Sequence, residues 1–267
     1  MSAASIGIFD SGLGGLSVVR DVAALLPDES LLYIADSLHA PYGEKPVPFI
    51  VARSLSIADW LVREGAKALV VACNTATACA IGAMRARYPQ LAVIGVEPGL
   101  KPAAGLSRSK VVGVLATGNT LASERFERLL QSLQPGTTFV CRAGHGLVAL
   151  VEAGETDTPR VDALLRGYLV PMLEAGADTL VLGCTHYPFL APAMERIAHG
   201  AGKTLRVIDT GEAVARQLQR KLAENGLIAP ARAPLHRFCS TQDAAHLQEM
   251  TARLLRLGVP AEAVVIP

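Results

Sequence analysis

Two cysteines stand in polar motifs that directly follow apolar segments of the chain. Cys73 begins the motif CNT and Cys184 begins the motif CTH, and each motif precedes a segment predicted to be helical. A thiol at a helix N-terminus lies near the positive end of the helix dipole, which favours the thiolate form. Such a thiolate could act as a base or a nucleophile, with His186 or Asp10 as its proton partner.

Two less reactive interpretations of these cysteines remain open. A lone cysteine near a strand is commonly an inert packing residue. Zinc binding is the second, because Cys73, Cys184, His186 and Asp10 carry the ligand types that Zn²⁺ takes. The short Cys-x-x-Cys type of spacing is absent, so zinc binding is the weaker interpretation and we expect no metal. The other cysteines lack a polar motif and are predicted to be packing residues: Cys79, Cys141 and Cys239.

Asp10 opens a glycine-rich segment, DSGLGG at residues 10–15, which precedes a predicted helix at 16–26. Backbone N–H groups at a helix N-terminus suit an anionic ligand, and glycines let that ligand approach closely. A tight turn is the plainer explanation. The spacing favours the turn, because the segment matches neither the dinucleotide-binding fingerprint nor the phosphate-binding loop pattern.

The elements that must position these residues follow from the apolar pattern. Continuous apolar runs, typical of strands buried on both faces of a parallel sheet, alternate with helical patterns such as those at 51–62 and 161–173. This alternation predicts an α/β fold with the polar motifs at the carboxyl ends of the strands, where α/β proteins bind ligands. The predicted strands are residues 6–9, 31–35, 68–72, 92–96, 111–115, 138–141, 179–182 and 205–208.

A weak internal repeat divides the chain. The segment IGIFDSG at 6–12 is similar to VGVLATG at 112–118, and VVACNT at 70–75 is similar to VLGCTH at 181–186. The two cysteines therefore hold equivalent positions, which weakens the inert interpretation for the pair. We expect two related, pseudo-symmetric α/β domains with mainly parallel sheets and the active site in the cleft between them. Their predicted boundaries are 1–97 plus 209–267 for the first and 98–208 for the second, with a crossover at 98–102.

Composition excludes several classes of protein. The chain has 267 residues, 51% of them hydrophobic, and a formal net charge of +1. It is therefore not intrinsically disordered, and it has no bulk electrostatic attraction to nucleic acid or membranes. The N-terminal residues lack the basic region of a signal peptide, and the longest uncharged run, 68–84, is too short and too polar to span a membrane. Five widely spaced cysteines do not suggest a disulfide framework, so we expect a cytoplasmic protein.

Four blocks together resemble the signature of the bacterial glutamate racemases in the aspartate/glutamate racemase family. They are DSGLGG at 10–15, ADS at 35–37 with PYG at 41–43, ACNTA at 72–76 and GCTHYP at 183–188, and they occur in the family's order and spacing. The resemblance implies a cofactor-independent isomerase that interconverts L- and D-glutamate by two-base proton transfer. It also implies that the enzyme supplies D-glutamate for peptidoglycan biosynthesis and forms a homodimer.

The resemblance further implies a role for each matching residue. Cys73 would remove the α-proton of D-glutamate with Asp10 as its assistant, and Cys184 would act on L-glutamate with His186 as its assistant. The residues that would bind the substrate are Ser11, Tyr42, Gly43, Asn74, Thr75, Thr117, Glu152 and Thr185.

Two other functions remain as alternatives. The first is an aspartate racemase or a related isomerase of small acids in the same superfamily, although the block CTHYP favours glutamate over the Cys-Thr-Glu type of the aspartate racemases. The second is a two-lobe protein that binds a small molecule without catalysis. Paired thiols at strand ends disfavour the second, because binding alone does not need thiols.

Overall fold

The computed structural model describes residues 4–267, and this part of the chain divides into two units. The first unit contains the residues up to Val96 and the segment Gly211–Pro267, and the second contains Glu97–Thr210. The chain thus leaves the first unit once and returns to it for about the last fifth of its length.

Ten strands and eleven α-helices alternate along the described residues. The strands are β1 (Ser5–Asp10), β2 (Leu31–Ala35), β3 (Ala66–Val71), β4 (Ala92–Gly95), β5 (Val111–Ala116), β6 (Thr138–Ala143), β7 (Thr179–Gly183), β8 (Arg206–Ile208), β9 (Arg237–Ser240) and β10 (Ala261–Ala263). The helices are α1 (Leu16–Leu25), α2 (Val47–Arg63), α3 (Asn74–Arg87), α4 (Leu100–Leu106), α5 (Gly118–Leu121), α6 (Glu124–Leu133), α7 (Leu147–Glu152), α8 (Pro159–Glu174), α9 (Ala191–Gly200), α10 (Gly211–Glu224) and α11 (Ala244–Leu255).

The first unit is built on a six-stranded parallel sheet in the order β10-β9-β2-β1-β3-β4. Helices α2 and α3 cover one face, where Ile57 and Leu61 pack in the same core as Leu69 and Val71 of β3. Helix α1 packs on α10, and both helices contact strands of the sheet. Burial on two faces explains why β1, β2 and β3 are continuous apolar runs rather than alternating ones.

The second unit is built on a four-stranded parallel sheet in the order β6-β5-β7-β8. One face packs against α8 and α9 through residues such as Leu169 and Ile197, and the other packs against α4 and α6 through Leu100 and Phe126. The order of its four strands is that of β2-β1-β3-β4 in the first unit. The third strand of each repeat, β3 or β7, therefore lies beside the first strand, β1 or β5, and the sequence repeat has a topological counterpart.

The α/β fold with mainly parallel sheets is confirmed, and the eight predicted strands correspond to β1–β8. The helical patterns at 51–62 and 161–173 lie inside α2 and α8. The segment 98–102 is not only a crossover, because α4 begins at Leu100 and holds Pro102 in its first turn, where a missing N–H is tolerated. Strands β9 and β10 were not predicted. Within residues 4–267 no helix is long and apolar enough to cross a membrane.

Candidate active site

Cys73 lies between β3 and α3, at the carboxyl edge of the first sheet. It is the N-cap residue of α3, and its Sγ accepts a hydrogen bond from the Ala76 N–H at 3.5 Å. The thiol in turn lies 3.8 Å from Ser11 Oγ, to which its S–H can donate. Cys73 is only 5% exposed. The predicted helix N-terminus is therefore present, and its dipole and the Ala76 N–H stabilise a negative charge on this sulfur.

Asp10 ends β1, next to the strand that leads to Cys73. Its Oδ2 accepts hydrogen bonds from the backbone N–H groups of Gly15 at 2.9 Å and Gly12 at 3.3 Å. A Cβ on Gly15 would lie 2.7 Å from the Asp10 Cβ, so the close turn requires glycine there. The N–H groups before α1 thus bind the buried carboxylate of Asp10 rather than an anionic ligand. This agrees with the tight turn that the glycine spacing predicted.

Asn74 and Thr75 form the first turn of α3 and are both buried. Among the described residues, the Asn74 side-chain Nδ2 finds no hydrogen-bond acceptor although no solvent reaches it. A buried amide donor without an acceptor is costly unless something else satisfies it. This donor points to a ligand with an acceptor oxygen beside Cys73.

A buried ion pair that the sequence analysis missed lies beside the turn formed by Tyr42 and Gly43. Asp36, directly after β2, accepts hydrogen bonds from Arg53 Nε at 2.9 Å, from Arg53 Nη2 at 2.8 Å and from the Tyr42 hydroxyl at 2.6 Å. Burial acts to raise the pKa of Asp36, but the hydrogen bonds from Arg53 and Tyr42 outweigh it and lower the pKa. The sequence did contain a signal for a buried arginine, because Arg53 occupies the apolar stripe of α2 between Ile50 and Ile57.

Cys184 directly follows β7, at the carboxyl edge of the second sheet, and is 6% exposed. Its position depends on Gly183, because a Cβ there would lie 2.6 Å from the Ala116 Cβ of β5. The sequence predicted a helix directly after the motif of Cys184, and this prediction is wrong in one respect. A short 3-10 turn spans Tyr187–Leu190 and separates Cys184 from α9, which begins only at Ala191. Cys184 therefore has no α-helix N-terminus of its own.

A histidine takes the place of the helix dipole at Cys184. His186 is 1% exposed, with Nδ1 3.6 Å from Cys184 Sγ and Nε2 2.5 Å from Glu152 Oε1 at the end of α7. Burial alone would lower the pKa of His186. The hydrogen bonds and charges of Cys184 and Glu152 oppose it and raise the pKa well above its usual value. The cluster Glu152–His186–Cys184 thus favours an imidazolium next to the sulfur.

Two threonines complete the polar edge of the second sheet. Thr117 follows β5 and caps α5 by accepting a hydrogen bond from the Thr120 N–H at 3.2 Å, and its hydroxyl lies 2.8 Å from that of Thr120. Thr185, which stands between Cys184 and His186 in the sequence, is buried. Because β5 and β7 are parallel neighbours, both hydroxyl groups lie at the carboxyl edge of the sheet.

The remaining cysteines are unlike these two. All five cysteines are free thiols, and burial is the main reason why the pKa values of Cys79, Cys141 and Cys239 are raised above the usual value. In the part of the chain that the structure describes, no group of three or more His, Cys, Asp or Glu side chains is placed to hold a metal ion.

Comparison with known proteins identifies the family of this chain. A family model described as Asp/Glu/hydantoin racemase matches residues 10–218, a range that includes both cysteine clusters. The chain belongs to the Asp/Glu/hydantoin racemase family, and it is an amino-acid racemase.

Its similarity to individual proteins places it within one branch of that family, the bacterial glutamate racemases. The glutamate racemase of Cupriavidus pinatubonensis is 59% identical over 264 residues, which cover 98% of this chain and 96% of that protein. A glutamate racemase structure from Bacillus anthracis is 31% identical with a TM-score of 0.87, and the match covers 100% of this chain and 99% of the other. The structure of the Escherichia coli glutamate racemase in complex with L-glutamate and the activator UDP-MurNAc-ala is 32% identical, with a TM-score of 0.85 and 99% coverage of both chains.

Proposed function

We propose that this racemase interconverts L- and D-glutamate without a cofactor, with Cys73 and Cys184 as the two bases. One observation carries the proposal: each unit presents a buried thiol at the end of the equivalent strand of its sheet, β3 or β7, in surroundings that stabilise a thiolate. The complex of the Escherichia coli relative with L-glutamate supports glutamate as the substrate.

Two bases suit racemisation because a proton must be removed from one face of Cα and another must be added to the opposite face. The Cys73 thiolate takes the Cα proton of D-glutamate, and the electron pair of the C–H bond stays on the substrate as a carbanion. The Cys184 thiol then donates its proton to the opposite face, which gives L-glutamate, a Cys73 thiol and a Cys184 thiolate. The next turnover can run in reverse without any movement of the substrate between faces, and each unit would be one lobe of the enzyme.

The two thiols would be activated by different means. At Cys73 the negative charge is stabilised by the N-terminus of α3, and Asp10 would assist the proton transfer. At Cys184 it is stabilised by the imidazolium of His186, which Glu152 holds in place. When Cys73 is in the thiol form, its S–H donates a hydrogen bond to the Ser11 hydroxyl, which lies 3.8 Å from Cys73 Sγ.

The α-proton of an amino acid is weakly acidic, so the carbanion needs stabilisation. Fixed hydrogen-bond donors that bind the α-carboxylate would supply it, in a site from which water is excluded. The unsatisfied Asn74 amide is the first candidate donor. The other residues that we propose to bind the substrate are Ser11, Tyr42, Gly43, Thr75, Thr117, Glu152 and Thr185.

The family resemblance supplies the cellular context of the proposal. We propose that the enzyme acts in the cytoplasm as a homodimer and supplies D-glutamate for peptidoglycan biosynthesis. A mass of a single 28.0 kDa chain in light scattering would contradict the dimer.

Chiral chromatography of glutamate and aspartate after incubation with dialysed enzyme tests the function. We expect either enantiomer of glutamate to become a racemic mixture, and Cys73→Ala and Cys184→Ala each to abolish the conversion. Cys79→Ala is the matched control, because Cys79 lies on α3 but outside the polar cluster, and it should stay active. Racemisation of aspartate in preference to glutamate, or an active Cys184→Ala variant, would contradict the proposal.

A further inference from the structure

A buried network connects the turn at Tyr42 with distant parts of the first unit. At its centre the Asp36 carboxylate, 0% exposed, accepts hydrogen bonds from the Tyr42 hydroxyl at 2.6 Å and from Thr241 Oγ1 at 3.0 Å. His39 Nδ1 lies 3.2 Å from the same carboxylate. Thr241 Oγ1 also accepts a hydrogen bond from the backbone N–H of Leu38 at 3.2 Å, so the segment that leads to the turn is linked to Asp36 through Thr241 as well as through Tyr42.

Arg53 extends this network in the opposite direction. Two of its nitrogens, Nε and Nη2, bind the two carboxylate oxygens of Asp36, and Nη1 donates to the Ile266 carbonyl at 2.5 Å. Arg53 is 7% exposed, so its charge depends on these partners. Only the planar fork of a guanidinium matches a carboxylate with two bonds and still reaches a third acceptor, and a lysine ammonium lacks that geometry.

The hydroxyl of Tyr42 is committed to this network. The side chain is 1% exposed, and burial followed by the charge of Asp36 raises the pKa of Tyr42, so the hydroxyl stays protonated and donates to the carboxylate. The Tyr42 side chain thus holds its turn in place through the hydrogen bond to Asp36. Arg53 in turn fixes the position of the Asp36 carboxylate.

We propose that Asp36 and Arg53 are a positioning pair that sets the affinity for the substrate by holding the turn of Tyr42 and Gly43 in place. This inference rests on the proposed function, in which that turn binds glutamate. Neither residue would take part in proton transfer, because Arg53 Nε, Nη1 and Nη2 all have protein partners and the Asp36 carboxylate accepts several hydrogen bonds. Loss of uniform binding raises KM and leaves kcat unchanged.

Steady-state kinetics of Arg53→Lys and Thr241→Val, which removes a hydroxyl that donates to Asp36, test the pair. For each variant we expect KM for both enantiomers to rise about tenfold, the effect of one strong buried hydrogen bond, with kcat and its pH profile unchanged. Lys67→Met is the matched control. Lys67 lies 2.6 Å from Glu29 in a second buried ion pair of the same unit, so its loss should lower the melting temperature and leave KM as in the wild type.

The outcomes separate this inference from the function on which it rests. A wild-type protein that does not racemise glutamate refutes the proposed function itself. An active wild type with a folded Arg53→Lys variant whose KM is unchanged, or whose kcat alone falls, overturns the positioning role. If Arg53→Lys does not fold, Thr241→Val decides: a raised KM supports the pair, and an unchanged KM overturns it.

Discussion

Replacing Glu152 with glutamine changes the charge state of the second unit's thiol while it keeps the shape of the side chain. Glu152 Oε1 lies 2.5 Å from His186 Nε2, and the other ring nitrogen lies 3.6 Å from Cys184 Sγ. His186 is 1% exposed, so water cannot take over the role of the lost carboxylate. Without its counter-ion the imidazolium is less stable, and the proton shared by His186 and Cys184 moves towards the sulfur.

The size of the effect follows from the strength of that contact. A hydrogen bond to a charged group contributes about 1.5–3 kcal/mol, which corresponds to a factor of about 10–150 in the balance between thiolate and thiol. We therefore expect kcat/KM of Glu152→Gln to be lower by about that factor. Because enantiomers have equal free energies, kcat/KM for the two directions must fall equally. A change that affects only the proton transfer at Cys184 therefore cannot be detected by comparing kcat/KM in the two directions.

Deuterium isotope effects on kcat/KM reveal the asymmetry. In Glu152→Gln the transfer at Cys184 becomes slower than that at Cys73, so circular dichroism rates should show a larger isotope effect from Cα-deuterated L-glutamate than from the D enantiomer. Glu155→Gln is the control, because Glu155 bonds Thr158 and should leave the rates unchanged. Equal isotope effects in the two directions, or an equal loss in the control, would refute the asymmetric role of His186 and Glu152.

Three further outcomes are expected. Cys73→Ser should lose racemisation far more than binding of D-glutamate in titration calorimetry, because the hydroxyl is a much weaker base than a thiolate. Asp178→Asn should lower the free energy of unfolding by about 1–3 kcal/mol in urea at pH 7, because Asp178 accepts hydrogen bonds from several groups including Ser107 Oγ. Gly183→Ala should cost about 1–3 kcal/mol in the same assay and lower kcat, because its Cβ would displace Cys184.

Each of these outcomes has a result that would contradict it. A Cys73→Ser variant with near-normal turnover would exclude Cys73 as the base. Hydrogen bonds lower the pKa of Asp178 from 3.8 to about 2 despite partial burial, so its contribution to stability is present above pH 3.8 and is lost as the pH falls towards 2. Wild type and Asp178→Asn should thus converge in stability near pH 2, and a constant difference would disprove this. A fully active Gly183→Ala would show that Cys184 tolerates displacement.

The sequence predicted the strands that are continuous apolar runs and missed those that are not. Strands β1–β8 follow from their hydrophobic patterns. Strand β9 contains a charged residue among its four, and β10 consists of three residues, Ala-Glu-Ala, without any apolar run. These two strands exist because β2 offers a free edge to which β9 can pair, and β9 then offers one to β10. Such long-range pairing has no local signal.

The candidate site was predictable only where a reactive side chain lies in a short motif directly after a predicted strand. Cys73 and Cys184 were found because each follows a buried strand, and His186 because it is two residues from a thiol. The resemblance included Asp36 in the block at 35–37, but its ion pair with Arg53 was missed because that contact depends on how α2 packs beside β2, although an arginine in an apolar stripe was a signal. The role of Glu152 came from resemblance, and its contact with His186 spans 34 residues of sequence.

Proton transfer by two bases on opposite faces of Cα is the central claim, and ¹H NMR of each glutamate enantiomer, separated by chiral chromatography after reaction in D₂O, tests it most directly. With L-glutamate as substrate at early conversion, the account predicts that the D-glutamate formed carries deuterium at Cα while the remaining L-glutamate keeps its proton. A single base that serves both faces would instead return the substrate's own proton to the product or bring deuterium into both enantiomers equally. Either of those results would contradict the two-thiol account.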